Sequence, residues 1–111
     1  MKHIDIEVIS TYMGGDKVVL KNFLLLIRKE LVRSLDDLEM QYRLRDVHTF
    51  KEVAHKLKGT ALSGGLPVLA DLMTGFSKLA EFDEVQIGGI VKKLREEIML
   101  IIKLIDEGTY G

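Results

Sequence analysis

The chain has 111 residues, 47% of them hydrophobic and 30% charged, which is typical of one globular domain rather than a disordered segment. Its 16 basic and 17 acidic residues are interspersed and give a formal net charge of −1, which argues against nucleic acid as a partner because phosphate binding needs clustered Lys and Arg. The absence of Cys excludes disulfides and Cys-ligated zinc. No apolar run approaches the ~20 residues that span a bilayer, so we expect no membrane segment. The expectation is a single cytoplasmic domain over 1–111.

The first half of the chain predicts two helices. Apolar residues at 6, 9 and 13 indicate a short helix that stops at Gly14-Gly15. Asp16 then fits the N-cap of a long helix. Steps of three and four connect the apolar residues of that helix, which are Leu20, Leu24, Ile27, Leu31, Leu35, Leu38 and Tyr42. The spacing places them on one face, as a core-facing helix requires.

The second half predicts three more helices. One runs over about 46–62, with Asp46 as its cap and the glycines at 64 and 65 at its end. The next begins at Pro67, where the missing N–H is harmless. The last follows Asp83 and ends at Gly108. Four substantial helices with short connections predict an all-α fold, an antiparallel up-and-down four-helix bundle with a short additional N-terminal helix. We expect this bundle to close its core as a monomer.

The sequence Ala54–Leu66 contains the most informative polar residues. Ala54 and Leu57 belong to the apolar face of the third helix, whereas His55 and Lys58 lie together off that face because they are three residues apart. Gly59 follows, although Gly costs a helix interior about 1 kcal/mol relative to Ala. A bare Cα one turn beyond the histidine leaves room for a large group to approach the ring.

These residue types suit phosphoryl transfer. A neutral imidazole is nucleophilic over much of the physiological pH range. The transferring phosphoryl group spreads negative charge over its oxygens, so a cation within reach lowers the barrier. His55, Lys58 and Gly59 supply an acceptor, a cation and an open approach.

The segment also resembles a known family. Ala54, the run His55-Lys56-Leu57-Lys58-Gly59 and the later Gly65-Leu66 are similar to the signature of histidine-containing phosphotransfer (HPt) domains. The short first helix, the long second helix and the acidic residue at 46 also match the family's pattern, so the resemblance covers the whole chain.

The resemblance implies a phosphorelay intermediate without autonomous catalysis. His55 would accept a phosphoryl group from an aspartate of one response-regulator receiver domain and pass it to an aspartate of another. Lys58 would contact the phosphoryl oxygens, and Gly59 would let the receiver come close. The receiver, free or within a hybrid sensor histidine kinase, would bring Mg²⁺ and the acidic pocket, so the chain needs no cofactor of its own. The glycines at 64–65 also lack the Lys-Ser/Thr that completes a nucleotide-binding loop.

Apolar residues near His55 are candidates for docking the receiver. Tyr12 and Met13 are expected to be the most exposed because they lie directly before Gly14-Gly15. The full set comprises Ile9, Tyr12 and Met13 on the short first helix, Val19 and Phe23 at the start of the second, and Leu62 and Gly65. Packing of the short helix onto the bundle is the alternative interpretation for each of them. Some HPt domains hydrogen-bond the histidine region with a Gln on the next helix. The matching residue here is Ser77, which is shorter, so this contact stays open.

Other interpretations of the polar residues remain. The chain could be an adaptor that binds receivers without accepting phosphate, or an enzyme with His55 as general base, although no Ser, Cys or Asp has a matching position on that face. His48 lies two helical turns from His55, too far for both to bind one metal ion. His3 is expected to lie in a fraying terminus. The charges at 36–37 and 95–97 are expected on solvated helix faces.

Overall fold

The structure is a computed structural model that describes residues 2–77 and 83–110, without the side chain of Ser77. Within these residues the chain is all-helical, with no strand. The helices are α1 (Ile6–Met13), α2 (Lys17–Leu44), α3 (Val47–Ser63), α4 (Pro67–Ser77) and α5 (Glu84–Glu107). The starts of α2, α3, α4 and α5 and the ends of α1, α3 and α5 agree with the glycines, the proline and the caps identified in the sequence.

Aspartates begin four of the helices. Asp5, Asp16, Asp46 and Asp83 each accept a hydrogen bond from a backbone N–H in the first turn of the helix that follows. At α2, Asp16 accepts from the N–H groups of Val18 and Val19. These bonds satisfy donors that have no carbonyl partner at a helix start, which explains why the helices begin there.

Left-handed backbone ends the two longest helices. Arg45 has φ 56° after α2, and Gly108 has φ 69° after α5. The backbone N–H of Gly108 donates to carbonyls of the last turn, as in a Schellman-type end. The connection between α2 and α3 consists only of Arg45 and Asp46, so α3 must turn back immediately.

The core is aliphatic and draws on every helix. From α2 it takes Leu24, Ile27, Leu31, Leu35 and Leu38, and from α3 it takes Phe50, Ala54, Leu57 and Ala61. The largest fully buried side chain, Phe50, packs on Phe76 with their ring centroids 5.2 Å apart. The apolar spacing in the sequence therefore identified the buried face of α2 and α3 correctly.

The helices pack in a closed order. α2 contacts α3 and α5, α4 contacts the same two helices, and α1 packs on α2. Ion pairs fix the direction of α5 relative to α2: Arg28 binds Asp106 near one end, and Arg45 binds Glu84 near the other. The pair nearer the start of α2 contacts the end of α5, and the pair at the end of α2 contacts the start of α5, so these two helices run antiparallel.

The segment before α1 is anchored rather than frayed, contrary to the expectation for His3. Nδ1 of His3 lies 2.9 and 2.7 Å from the two carboxylate oxygens of Glu97 on α5. Ile4 is buried, and the N–H of Asp5 donates to the carbonyl of Gly65 at 2.8 Å. Glu97 is only 7% exposed, so the prediction that residues 95–97 form a solvated face is wrong for this residue.

No helix among the described residues is both long enough and apolar enough to cross a bilayer.

Candidate functional site

His55 lies on the exposed side of α3. Ala54 and Leu57, its neighbours on the apolar face, are buried and hold the helix against the rest of the protein. The imidazole is exposed, and among the described residues no side chain or backbone group hydrogen-bonds or ion-pairs with it. The imidazole is therefore open to a group that approaches from solvent.

The two lysines beside His55 have different surroundings. Lys58, three residues later on the same side of α3, is half-buried and in no ion pair within the described part of the chain. Lys56 points toward α2, where its Nζ lies 3.6 Å from a carboxylate oxygen of Glu30. Of these two lysines, Lys58 has the position on the His55 side and no carboxylate partner among the described residues. Lys51, one turn before His55, is exposed and also in no ion pair within the described part of the chain.

Gly59 faces open space. A Cβ built at this position meets no atom within 4 Å, so packing within the chain does not require glycine here. Gly75 and Gly89 are open in the same way, which means that openness alone does not mark a site. Gly59 differs from them by its place one turn beyond His55 and directly after Lys58.

His48 is paired on the surface. Its Nε2 lies 2.8 Å from a carboxylate oxygen of Glu52, one turn further along α3. The structure groups no three His, Cys, Asp or Glu side chains around a potential metal site in the residues it describes. The ion pair gives His48 a local partner that His55 lacks.

Asp46 fixes the start of α3. Its carboxylate accepts from the N–H of Thr49 at 3.1 Å and from the Thr49 hydroxyl at 2.9 Å. These hydrogen bonds, with a smaller contribution from the charge of His48, hold the pKa of Asp46 below its ordinary value. The carboxylate thus stays ionised at physiological pH and stabilises the first turn of the helix that carries His55.

Leu62, Tyr12 and Val19 are the exposed members of the predicted docking set. Leu62 is 61% exposed, and Tyr12 is 52% exposed. The Tyr12 hydroxyl donates to the carbonyl of Ser63, the last residue of α3, and its ring meets Phe23 edge-on with centroids 6.4 Å apart. Tyr12 therefore joins α1 to the end of α3 while presenting one side of its ring to solvent.

Met13 and Phe23 are less accessible than their positions in the sequence suggest. Both are half-buried and pack against the core, so the expectation that Met13 is among the most exposed residues is wrong. Ile9, at the centre of α1, is fully buried, so the prediction that it docks a partner is wrong. Most of the apolar side of α1 thus holds that helix in place.

Gly65 is a structural residue in this fold. It is buried with φ 66°, and a Cβ at this position would lie 2.8 Å from Cγ1 of Ile9 and 3.1 Å from the carbonyl oxygen of Asp5. The prediction that Gly65 offers surface to a partner is therefore not supported. It is glycine because the chain turns in a left-handed conformation directly beneath α1.

Sequence reasoning missed two exposed apolar residues of this region. Val8 lines a shallow cavity of about 200 Å³ with Leu62, Pro67 and Ala70, between α1, α3 and α4. Leu26 on α2 is 67% exposed and precedes by one turn the Glu30 that pairs with Lys56. Exposed apolar residues can be found only once the packing partners of each helix are known.

The Ser77 prediction lies outside the described residues, because the side chain of Ser77 is not described. Whether it contacts the His55 region therefore stays a prediction.

Comparisons with protein-family models, curated proteins and solved structures found no match to this chain.

Proposed function

We propose that this protein is a histidine phosphotransfer protein of a multistep phosphorelay, in which His55 carries the phosphoryl group. The observation that supports this most directly is the exposed imidazole of His55, with the unpaired Lys58 and the open Gly59 on the same side of α3. The similarity of residues 54–66 to the HPt signature leads to the same proposal from the sequence.

An HPt-like architecture is part of the proposal. We infer that α2 to α5 form an antiparallel up-and-down four-helix bundle, with α1 across one end. The closed packing order of these helices, the antiparallel pairing of α2 with α5 and the two-residue turn before α3 all favour it. In this arrangement α3 presents His55 to solvent from a rigid element.

The transfer step needs only a nucleophile from this chain. The unprotonated ring nitrogen of His55 attacks the phosphorus of an aspartyl phosphate on a receiver domain. An N–P bond forms as the bond between phosphorus and the aspartate oxygen breaks, and the electron pair leaves with that oxygen to restore the carboxylate. The second transfer reverses these bonds, with the carboxylate of another receiver as the attacking group.

Lys58 and Gly59 assist this step in different ways. Lys58 follows His55 by three residues on the same side of α3, and its ammonium would stabilise the charge on the equatorial oxygens of a phosphoryl group bound to the ring. Gly59 has no side chain that would project from the helix beside the His55 ring, so the receiver can bring its phosphoaspartate close. The receiver would supply Mg²⁺, so this chain needs no metal site of its own.

The exposed apolar residues near the end of α3 fit a transient partner. Tyr12, Leu62 and Val8 are exposed on α1 and α3, and a modest apolar patch of this kind suits an interface at the small end of the usual range. The proposed partners are receiver domains of response regulators in the cytoplasm, including a receiver within a hybrid sensor kinase.

The test is phosphotransfer from a phosphorylated receiver to this protein. We expect acid-labile, base-stable labelling of the wild type and no labelling of His55→Gln. His48→Gln is the matched control, since His48 is exposed on the same helix but paired with Glu52, and it should be labelled normally. Labelling of His55→Gln at the wild-type level would refute the assignment.

A profile against every receiver domain of the source organism extends this test. Transfer to or from at least one receiver supports the phosphorelay function. Binding to receivers without any transfer, by a wild-type protein that is folded by circular dichroism, identifies a non-phosphorylated adaptor instead and contradicts the proposal.

A further inference from the structure

The outward side of α2 carries a charged and apolar pattern that the phosphotransfer proposal does not use. Leu25, Lys29, Val32, Asp36 and Met40 follow one another at steps of three and four, so they share one side of the helix. All five are exposed. We call this side, together with Arg33, Asp37 and Leu44, the outer α2 face.

The contacts of α2 show that the middle of this face is turned away from the other helices, whereas Leu25 at its edge lines a depression with Ile105 and Tyr110. Glu30 marks the side toward α3 through its pair with Lys56, and Arg28 and Glu39 mark the side toward α5 through pairs with Asp106 and Arg95. The shallow depression between these sides is lined by residues of α2 alone, namely Lys29, Val32, Arg33, Asp36, Asp37 and Met40.

The charges on the outer α2 face are segregated along the helix. In the middle of the face Lys29 and Arg33 come first, and Asp36 and Asp37 follow. Arg43 comes after them at the edge toward α5, where it lines a depression with Glu39 and Lys92. Within the described residues, Lys29, Arg33 and Asp36 take part in no ion pair, and Asp37 only accepts a long hydrogen bond from Gln41 at 3.4 Å. These charges are therefore available to a partner.

Two such faces complement each other when they meet in opposite directions. A two-fold axis between Arg33 and Asp36 brings Arg33 of one copy against Asp36 of the other, and places Lys29 within one turn of the same carboxylate. In this register Leu25 lies opposite Leu44, and Met40 packs against the stem of Lys29. Parallel pairing would instead set Arg33 against Arg33, which like-charge repulsion disfavours.

From this self-complementarity we propose that the outer α2 face binds a second copy of this chain, with the two α2 helices antiparallel. The dimer adds to a core that each chain already closes by itself, so the association is weak and depends on concentration. His55 lies on α3, away from the outer α2 face, and stays exposed in both copies.

Sedimentation velocity from about 10 µM to about 1 mM, a range that spans weak association, tests the proposal. We expect the mean mass to rise toward that of a dimer and the association to weaken at high salt, which screens exposed charges. A mass that remains that of one chain throughout overturns the proposal.

Charge reversal separates this interface from any other. Asp36→Lys and Arg33→Asp should each weaken association about tenfold or more, because two-fold symmetry makes each change act twice. The double swap, Arg33→Asp with Asp36→Arg, should restore most of it. Glu96→Lys, an equal change of charge at an exposed residue of α5, is the matched control and should have no effect. No weakening in the single variants, or no recovery in the swap, overturns the proposed contact.

The direction of pairing can be measured because the chain has no native Cys. A spin label on Val18→Cys, at the exposed start of α2, should give a distance between the two labels of ~50 Å in an antiparallel dimer, from a rise of ~1.5 Å per residue. Parallel helices would bring the two labels to about 10 Å, the usual separation of packed helices, and would refute the antiparallel arrangement.

Discussion

Two histidines of this protein have opposite surroundings. His55 projects from the exposed side of α3, and no described residue hydrogen-bonds to its ring. His3 precedes α1 and binds both carboxylate oxygens of Glu97, a side chain that is 7% exposed on α5. The same side chain therefore stabilises the fold at one position and is left accessible at the other.

This difference teaches how to separate structural from functional histidines in a small helical domain. A buried carboxylate such as Glu97 needs a partner, because a buried charge without one is strongly destabilising. His3 meets this need and fastens the N-terminal segment to α5. Nothing in the described fold makes a similar demand on His55, which leaves its ring free for the phosphoryl group that we propose it carries.

The largest effect is expected at the open side of α3. Lys58→Ala should slow phosphotransfer about 100-fold, the scale seen when one group that stabilises transition-state charge is removed. Lys56→Ala is the matched control, because Lys56 is a lysine of the same helix next to His55 in sequence, but its side chain pairs with Glu30 of α2. Single-turnover transfer from a phosphorylated receiver measures both rates.

Thermal unfolding must accompany these rates. Lys58 lies off the buried face of α3, so Lys58→Ala should leave the melting temperature close to that of the wild type. Equal transfer rates for Lys58→Ala and Lys56→Ala would show that the charge of Lys58 does not assist phosphotransfer. The exposed ring of His55 would then be the only feature that separates this site from His3.

The paired histidine should show the opposite phenotype. His3→Ala leaves the carboxylate of Glu97 buried without its partner, and we expect a loss of about 2 kcal/mol in the free energy of unfolding. His48→Ala, which breaks an exposed pair with Glu52, should cost at most about 0.5 kcal/mol. Urea denaturation of the three proteins gives these values directly.

A second substitution at Glu97 tests the cause of that loss. Combining His3→Ala with Glu97→Leu removes the buried charge together with its partner, so much of the lost stability should return. No recovery in the double variant would mean that His3 stabilises the fold by packing rather than through the carboxylate.

Two glycines extend the contrast to the backbone. Gly59→Ala should stabilise the protein by about 1 kcal/mol, because its helical backbone is unstrained and the space beside it is open. Gly65→Ala should destabilise it by about 1–3 kcal/mol, because φ is 66° and Ile9 would be only 2.8 Å away. Urea denaturation decides the signs, and two changes of the same sign contradict the different roles assigned to these glycines.

The helices were predictable because their signals are local. Asp16, Asp46 and Asp83 cap helices as the sequence indicates, and Pro67 begins α4. The buried faces of α2 and α3 follow from steps of three and four. Each of these features depends on residues within one or two turns of each other, which sequence alone displays.

The buried pair was not predicted, for a physical reason that can be stated. Glu97 lies three residues after Leu94 and four before Ile101, so its spacing places it on the apolar side of α5. That position hints at a buried charge. Its partner could not be inferred, because His3 is 94 residues away and only the folded chain brings them together.

The candidate docking surface was predictable only in part. Tyr12 and Leu62 are exposed as expected, whereas Met13 is half-buried and Gly65 is buried beneath α1. The direction in which α1 crosses the end of α3 decides which of its side chains remain outside. This crossing depends on contacts between distant segments, such as the bond from the N–H of Asp5 to Gly65.

The smallest expected effect concerns an exposed carboxylate at the start of α3 and appears only in acid. Thr49 and, to a smaller extent, the charge of His48 lower the pKa of Asp46 below its ordinary value of 3.8. A carboxylate whose pKa is lowered by folding stabilises the native state fully above pH 3.8, and this contribution is lost as the pH falls through the folded-state pKa.

Asp46→Asn can still cap the helix but does not titrate, so its stability should fall less than that of the wild type between about pH 4 and pH 2.5. Thr49→Val removes the hydroxyl that donates to Asp46, so its loss of stability over this pH range should lie between the losses of the wild type and Asp46→Asn. Urea denaturation at several pH values measures the stability of all three proteins. Identical pH profiles for the wild type and Asp46→Asn would mean that the carboxylate of the cap carries no pH-dependent stability.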